Sequence, residues 1–301
     1  MKKVVCLGGG NAMPNVVLKE IKNKEIDLSV ISAVLDSGGS SGKLRENYNI
    51  IAVGDMRRAL LELSQLDNEV KEIFKYRFEG GDLEGHNLGN LIITSILLKE
   101  KNPIEFLNNF FKTQFEVFPA TLETANLCAE LENGEIIIGE TNIDIPKHSS
   151  KVKKVFLDKK VHIFEQARLK ILNADTIIIG PGDLYSSLIQ ILLVLGMKDA
   201  IKKSNAKIIY ICNLKNKKGE TDNFEVSDFE KEIEKYLDKK IDYIIFNNKK
   251  GIDLVPFSEY NDSKHIGLDL LRNGEAIHDS KKLVNELMKI IRAKCKEHGI
   301  V

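Results

Sequence analysis

Short unbroken apolar runs recur along this chain. Each is closed by glycine, asparagine or serine, and most are followed by apolar residues at helical spacing. Residues 3–7, 28–35, 175–179, 206–212 and 243–247 read as buried strands. Residues 13–21, 55–66, 68–78, 88–99 and 279–296 carry the helical period, and another apolar helix is predicted to run from Ser187 to Leu195. Strand, glycine turn and helix alternate in this order, which predicts an α/β protein with a mostly parallel sheet. From Phe115 the character changes. Residues 124–132 alternate, Asn133-Gly134 is a strong hairpin signal, 135–139 return and 151–157 add a strand. Residues 115–162 are therefore expected to form a small antiparallel insertion, a lid or a dimer surface, with nothing in it that requires chemistry.

The densest chemistry lies between Leu35 and Arg58. Gly38, Gly39, Ser40, Ser41 and Gly42 expose amides and hydroxyls, and Lys43, Arg45, Arg57 and Arg58 add charge. Glycine turns form anion-binding concavities and arginine brings a planar fork, so a phosphate site is expected here. Asp55 reads as the cap of a helix whose first turn holds Arg57 and Arg58. Positive charge there opposes the helix dipole, which points to a nearby anion. Gly8, Gly9, Gly10 and Asn11 form an earlier strand-to-helix turn suited to a pyrophosphate, although Met13 stands where a dinucleotide motif has its third glycine. Asp36 is positioned like a ribose-binding acid or as a turn cap. His86, Asn87 and Asn90 open a further helix, and Gly180-Pro181-Gly182-Asp183-Leu184-Tyr185 makes a third junction on the same sheet edge. A later strand ends at Asn213.

Composition narrows the partners. The 301 residues hold 44 Lys+Arg and 44 Asp+Glu, a formal net charge of zero. A general nucleic-acid or membrane binder would carry a basic excess. Cys6, Cys128, Cys212 and Cys295 are far apart and form no metal pair, so they read as reduced thiols filling the core. The chain opens on a strand pattern, and no apolar run approaches the ~20 residues that cross a bilayer. A cytoplasmic protein without a signal peptide is expected.

Several blocks in order then carry a resemblance. GGG at Gly8, DSGGSSGKLR from Asp36, GDMR from Gly54, GHNLGNL from Gly85, GPGDLYSS from Gly180 and CN…KGET from Cys212 resemble the YvcK/CofD-like family, its YvcK branch more than its phospholactate-transferase branch. The resemblance implies one Rossmann-like, doubly wound domain over residues 1–301 with helices on both faces. It implies a nucleotide or nucleotide-sugar ligand, UDP-N-acetylglucosamine in the YvcK branch. It also implies a regulatory role in carbon metabolism, cell-wall supply and cell shape. The expected ligand contacts are Gly9, Gly10, Asn11, Asp36, Gly38, Gly39, Ser40, Ser41, Arg45, Arg57, His86, Asn87, Asn90, Gly182, Leu184, Tyr185 and Asn213. This chain departs from the family at Asn11-Ala12, at Ser37 beside Asp36, at Arg58 and at Asp183. A regulator without its own chemistry is the leading expectation, acting through a protein partner and as a homodimer, with no cofactor or metal. A phospholactate-transferase-like enzyme is the alternative. It would use Asp36 and His86 as catalytic groups and Mg²⁺ held by Asp36 or Asp183. An NAD-dependent oxidoreductase is the third reading, resting on the first strand–turn–helix unit alone.

Overall fold

Valine, isoleucine and leucine fill both faces of the central strands, the pattern of a sheet covered on both sides. The computed structural model describes residues 1–148 and 150–293. In chain order the strands are β1 (Lys2–Gly8), β2 (Ile26–Ser32), β3 (Glu116–Pro119), β4 (Leu127–Leu131), β5 (Ile136–Ile138), β6 (Val152–Leu157), β7 (Thr176–Ile179), β8 (Lys207–Ile211), β9 (Tyr243–Asn247) and β10 (His265–Leu268). Seven of them form one parallel sheet in the order β10-β9-β8-β7-β1-β2-β3. The helices fall into two packed sets. Met13–Leu18 touches Gly54–Leu63 and Ser280–Arg292, while Met197–Lys203 touches Glu165–Leu172 and Val226–Leu237. This is the doubly wound, Rossmann-like arrangement. Winding reverses between β1 and β7, and such folds place their ligand cleft at the carboxyl ends of the strands flanking that reversal.

Three elements differ from the sequence reading. The apolar run 28–35 pairs in the sheet only as far as Ser32. Its last residues are buried by other partners: Val34 O accepts from Ala52 N at 2.9 Å, and Leu35 N donates to Gln190 Oε1 at 3.1 Å. The glycine–serine run is not a loop but the first turn of a helix, Gly39–Tyr48. Gly42 permits it, because a Cβ there would lie 2.0 Å from the Ser37 carbonyl oxygen. Asp55 is not a cap; Val53 holds that position, and Asp55 sits inside helix Gly54–Leu63.

The insertion is also smaller than residues 115–162. Glu116–Pro119 falls inside that span, yet β3 pairs parallel with β2, Ser29 opposite Glu116. Its register belongs to the main sheet because Val117 and Phe118 bury their side chains in the core. The antiparallel piece is the three-stranded sheet β5-β4-β6. Beyond Asp222 the chain adds β10 and a hairpin, Leu271–Arg272 with Glu275–His278. The last helix is described as Ser280–Arg292; the expected end at Lys296, like Cys295, lies outside the described residues. Cys6, Cys128 and Cys212 are buried free thiols, and burial pushes Cys6 and Cys212 up to about 12, so they act as apolar filler. No described helix is long and apolar enough to cross a membrane.

A hydroxyl adds to the apolar packing of Leu127, Ala129 and Val155 in holding the small sheet on the core. Val155 N, on the edge strand β6, donates to Tyr236 Oη at 2.8 Å. Tyr236→Phe should therefore cost ~0.5–1.5 kcal/mol in chemical denaturation, the usual net contribution of one hydrogen bond. It should also speed amide exchange at Val155. Unchanged exchange there would show that the hydroxyl does not hold the strand.

Candidate functional site

A cleft of about 710 Å³ opens at the carboxyl ends of β1, β7 and β8. The turn after β1 supplies Gly9, Gly10 and Asn11. Asp36, Gly38, Gly39, Ser40 and Ser41 enter with the start of helix Gly39–Tyr48. Arg57 and Asn90 come from two other helices, and Gly182 and Asn213 from the junctions after β7 and β8. The structure thus brings most of the expected residues to one place.

Five expected contacts lie elsewhere. Arg45 points to the far side of its helix and donates to Ala125 O and to Asn126 Oδ1 at 2.8 Å. Asn87 caps helix Leu88–Lys99, accepting from Asn90 N and donating to Lys75 O at 2.9 Å and Tyr76 O at 3.1 Å. His86 stands beside it, its Nδ1 3.4 Å from Ser40 Oγ, and lines no part of the cleft. Leu184 and Tyr185 face inward, Leu184 into the core and Tyr185 with its hydroxyl 3.2 Å from Glu232 Oε1. Their backbone turn misled the reading: the glycine junction reaches the cleft, but the side chains that follow belong to the buried helix Leu184–Ile189.

Asp55 organises the floor. Its Oδ2 accepts from Gly10 N at 2.7 Å and its Oδ1 from Arg58 Nη2 at 2.5 Å. Arg58 Nε in turn donates to Gly10 O at 3.1 Å, so both polar groups of the Gly10 residue are engaged. Burial raises Asp55 above the usual carboxylate range, and Arg58 and the Gly10 amide oppose that rise. A Cβ on Gly9 would sit 2.2 Å from Asp55 Oδ2, which is why glycine stands there. Arg58 thereby has a structural role, and Arg57, which also lines the cleft, is left without a carboxylate partner among the described residues. Only 8% exposed, Arg57 donates weakly to Phe74 O at 3.4 Å. Burial, then Arg58 and Arg77, lower its pKa to about 10, so it stays a cation at neutral pH. Its Nε has no partner, and neither do Asn90 Oδ1 and Asn213 Oδ1; all three belong to residues lining the cleft.

The opposite wall is acidic, and its residues from the insertion were not among the expected contacts. Glu140, Thr141 and Asp144 come from the short helix Glu140–Asp144 of the insertion. Ser37 Oγ accepts from Thr141 N at 3.0 Å and fastens this helix beside Asp36. Asp36 accepts from Gly38 N at 2.7 Å, the turn-cap role. Burial first, then Asp36, pushes Glu140 well above the usual carboxylate range, so its carboxyl keeps a proton at neutral pH. Lys217 bridges Asp144 at 2.9 Å and Asp183 at 3.4 Å, which neutralises the departure at Asp183. Behind them the buried Glu220 accepts from Tyr185 N at 2.9 Å and Ser186 Oγ at 2.7 Å; burial raises it to about 7. His278 closes the cleft, its Nε2 3.3 Å from Cys212 O and its pKa lowered by burial to about 4, so the ring is neutral. No signal in the sequence could place Glu140, because its partner lies about a hundred residues earlier in the chain. Among the described residues no group of three or more His, Cys, Asp or Glu side chains could hold a metal.

This architecture has known counterparts. The sequence matches the family described as 2-phospho-L-lactate transferase CofD over residues 4–294. A Listeria innocua protein named gluconeogenesis factor is 39% identical over 251 residues, covering 81% of this chain and 77% of that protein. A Thermotoga maritima protein, provisionally given the same name, is 40% identical over 252 residues, covering 82% and 79%. A crystal structure of a Bacillus halodurans protein, described as a member of the UPF0052 family, superposes with a TM-score of 0.90 at 31% identity, covering 96% of this chain and 100% of that one. With the match running through every junction that builds the cleft, the chain belongs to the CofD family, among relatives named gluconeogenesis factors.

Proposed function

We propose that the cleft binds a nucleotide sugar of the UDP-N-acetylglucosamine type. The protein is then a binding regulator of central carbon metabolism, cell-wall precursor supply and cell shape. On this reading it works in the cytoplasm as a homodimer acting through a protein partner. The observation that carries the reading is the convergence of three buried, unpaired polar atoms, Arg57 Nε, Asn90 Oδ1 and Asn213 Oδ1, on residues of one cleft. Buried polar groups are normally paired, so an unpaired set points to a ligand. A guanidinium suits a diphosphate, and two amide oxygens accept from ribose or sugar hydroxyls.

The family description supports a second reading, transfer of a phosphorylated group. It would need a base and a metal-binding acid free to act. His86 stands outside the cleft, Asp36 is engaged by Gly38 N and faces Glu140, and Asp183 faces Lys217. The residues present do not fit a resident Mg²⁺. They favour binding over turnover.

A thermal-shift panel with UDP-N-acetylglucosamine, UDP, GTP, NAD and NADP separates the readings. A ligand at ~100-fold over its dissociation constant should add ~2.7 kcal/mol of stability, and UDP-N-acetylglucosamine is expected to do so with or without EDTA. Phosphorus NMR should show the sugar nucleotide intact after incubation. Steady release of UDP that Asp36→Asn abolishes, with binding retained, would replace the regulator with the transferase.

Arg57→Ala should weaken nucleotide binding by ~1.5–3 kcal/mol, the range for a hydrogen bond to a charged group. Calorimetric titration would read this directly. Normal binding by a destabilised variant would make Arg57 a structural residue.

The acidic wall gives a pH signature. Glu140 has a folded pKa raised above its ordinary value of 4.5, so its favourable contribution is complete below that pH and is lost as pH rises. Glu140→Gln should flatten the decline of melting temperature between acid and alkaline pH. An identical slope in the variant would remove Glu140 as its source.

A further inference from the structure

A second cleft, of about 580 Å³, lies against the first and shares Asn11, Arg57, Arg58 and Arg77 with it. Its remaining charge comes from Lys22, Lys71 and Lys75, and Glu62 is the one carboxylate lining it among the described residues. Lys22 is matched by Glu62 at 2.9 Å, Lys75 by Glu72 at 2.8 Å and Arg58 by Asp55. Lys71, Arg57 and Arg77 have no carboxylate partner among the described residues. They donate to the carbonyls of Ser64, Phe74 and Gly85. Lys71 and Lys75 stand one helical turn apart on Asn68–Lys75, an arrangement of like charges that is unfavourable by itself. Burial, Lys22 and Lys75 hold the Lys71 ammonium below the usual lysine value. A bound anion would relieve this crowding.

We propose that this side cleft is a second ligand site, taking a small molecule that carries a phosphate monoester. The unmatched cations supply charge-assisted donors for a dianion, and Asn11 and Asn68 supply amides for its hydroxyls. A nucleotide is a poor fit: no aromatic side chain lines the cleft among the described residues, so a base finds no stacking face. A nucleic acid is excluded by shape and charge together, since the site is a confined cleft on a chain of zero net charge. Arg57 and Arg58 form the boundary between the two clefts, so the second ligand would sit beside whatever occupies the first.

Inorganic phosphate is the probe. It is titrated calorimetrically into the full chain at constant ionic strength held with chloride. Saturable binding is expected. The double variant Lys71→Gln/Lys75→Gln, whose substitutions touch only the side cleft, should lower phosphate affinity at least about tenfold, or 1.4 kcal/mol. Its binding of UDP-N-acetylglucosamine should stay within about twofold, well under that step. That second titration keeps the two clefts distinguishable, because failure of the nucleotide-sugar reading leaves the phosphate result intact. Lys217→Gln, which touches only the first cleft, should leave phosphate affinity unchanged. A melting curve of each variant confirms that it is folded, and Lys71→Gln alone serves if the double variant is not. Absence of saturable binding to the wild-type chain would overturn the proposal. So would a phosphate affinity that survives the lysine substitutions or disappears with Lys217→Gln.

Discussion

The buried carboxylate of Asp55 is the constraint on which the cleft rests. It joins the first glycine turn to helix Gly54–Leu63 through Gly10 N and Arg58, and it leaves no room for a Cβ at Gly9. Removing a charge from water is costly unless it is paired and hydrogen-bonded, and both conditions are met here. The consequence is positional. With Arg58 held at Asp55, the neighbouring Arg57 is left buried and facing the cleft with a donor to spare. Two adjacent arginines are therefore held differently, one paired with Asp55 and one lining the cleft with an unpaired donor.

The same economy governs the rest of the cleft. Acidic groups are gathered on the wall formed by Asp36, Glu140, Asp144 and Asp183, and cations on the side of Arg57, Arg58 and Arg77. Lys217 ties two of the acids, and burial beside Asp36 holds the Glu140 carboxyl well above the usual carboxylate range. Such a division would suit the proposed ligand, with a charged end and a hydroxylated end. The proposed reading of the site as a binder rests on this division of charge.

What could be seen in the sequence follows from what is local. Buried strands such as Thr176–Ile179 and Tyr243–Asn247 were visible because unbroken apolar runs between turns have few other uses. The glycine turns were visible for a similar reason. The helix at Gly39 was not, because its glycines and serines are loop formers in isolation. They become helical once Ser40 and Ser41 accept from Asn90, and Ser40 from Asn87 N as well. Arg45 carries the right chemistry on the wrong face of that helix, a distinction that depends on knowing where the helix begins. Glu140 depends on a contact between distant segments, and no local pattern encodes it. Composition could not reveal the basic side cleft either, since a net charge of zero conceals how the charges are distributed.

The pairing of Ser37 with Thr141 spans 104 residues of chain. Closing a loop of that length costs conformational entropy that only the assembled contacts repay. The cleft's floor is made within residues 9–58, but its acidic wall is complete only when the insertion has folded and docked. The complete cleft thus belongs to the finished molecule alone. A nascent chain ending after the arginines would lack not only that wall but also β7, the strand that holds β1 and its glycine turn in the sheet, so a ligand that needs both walls would bind only after the whole fold is in place.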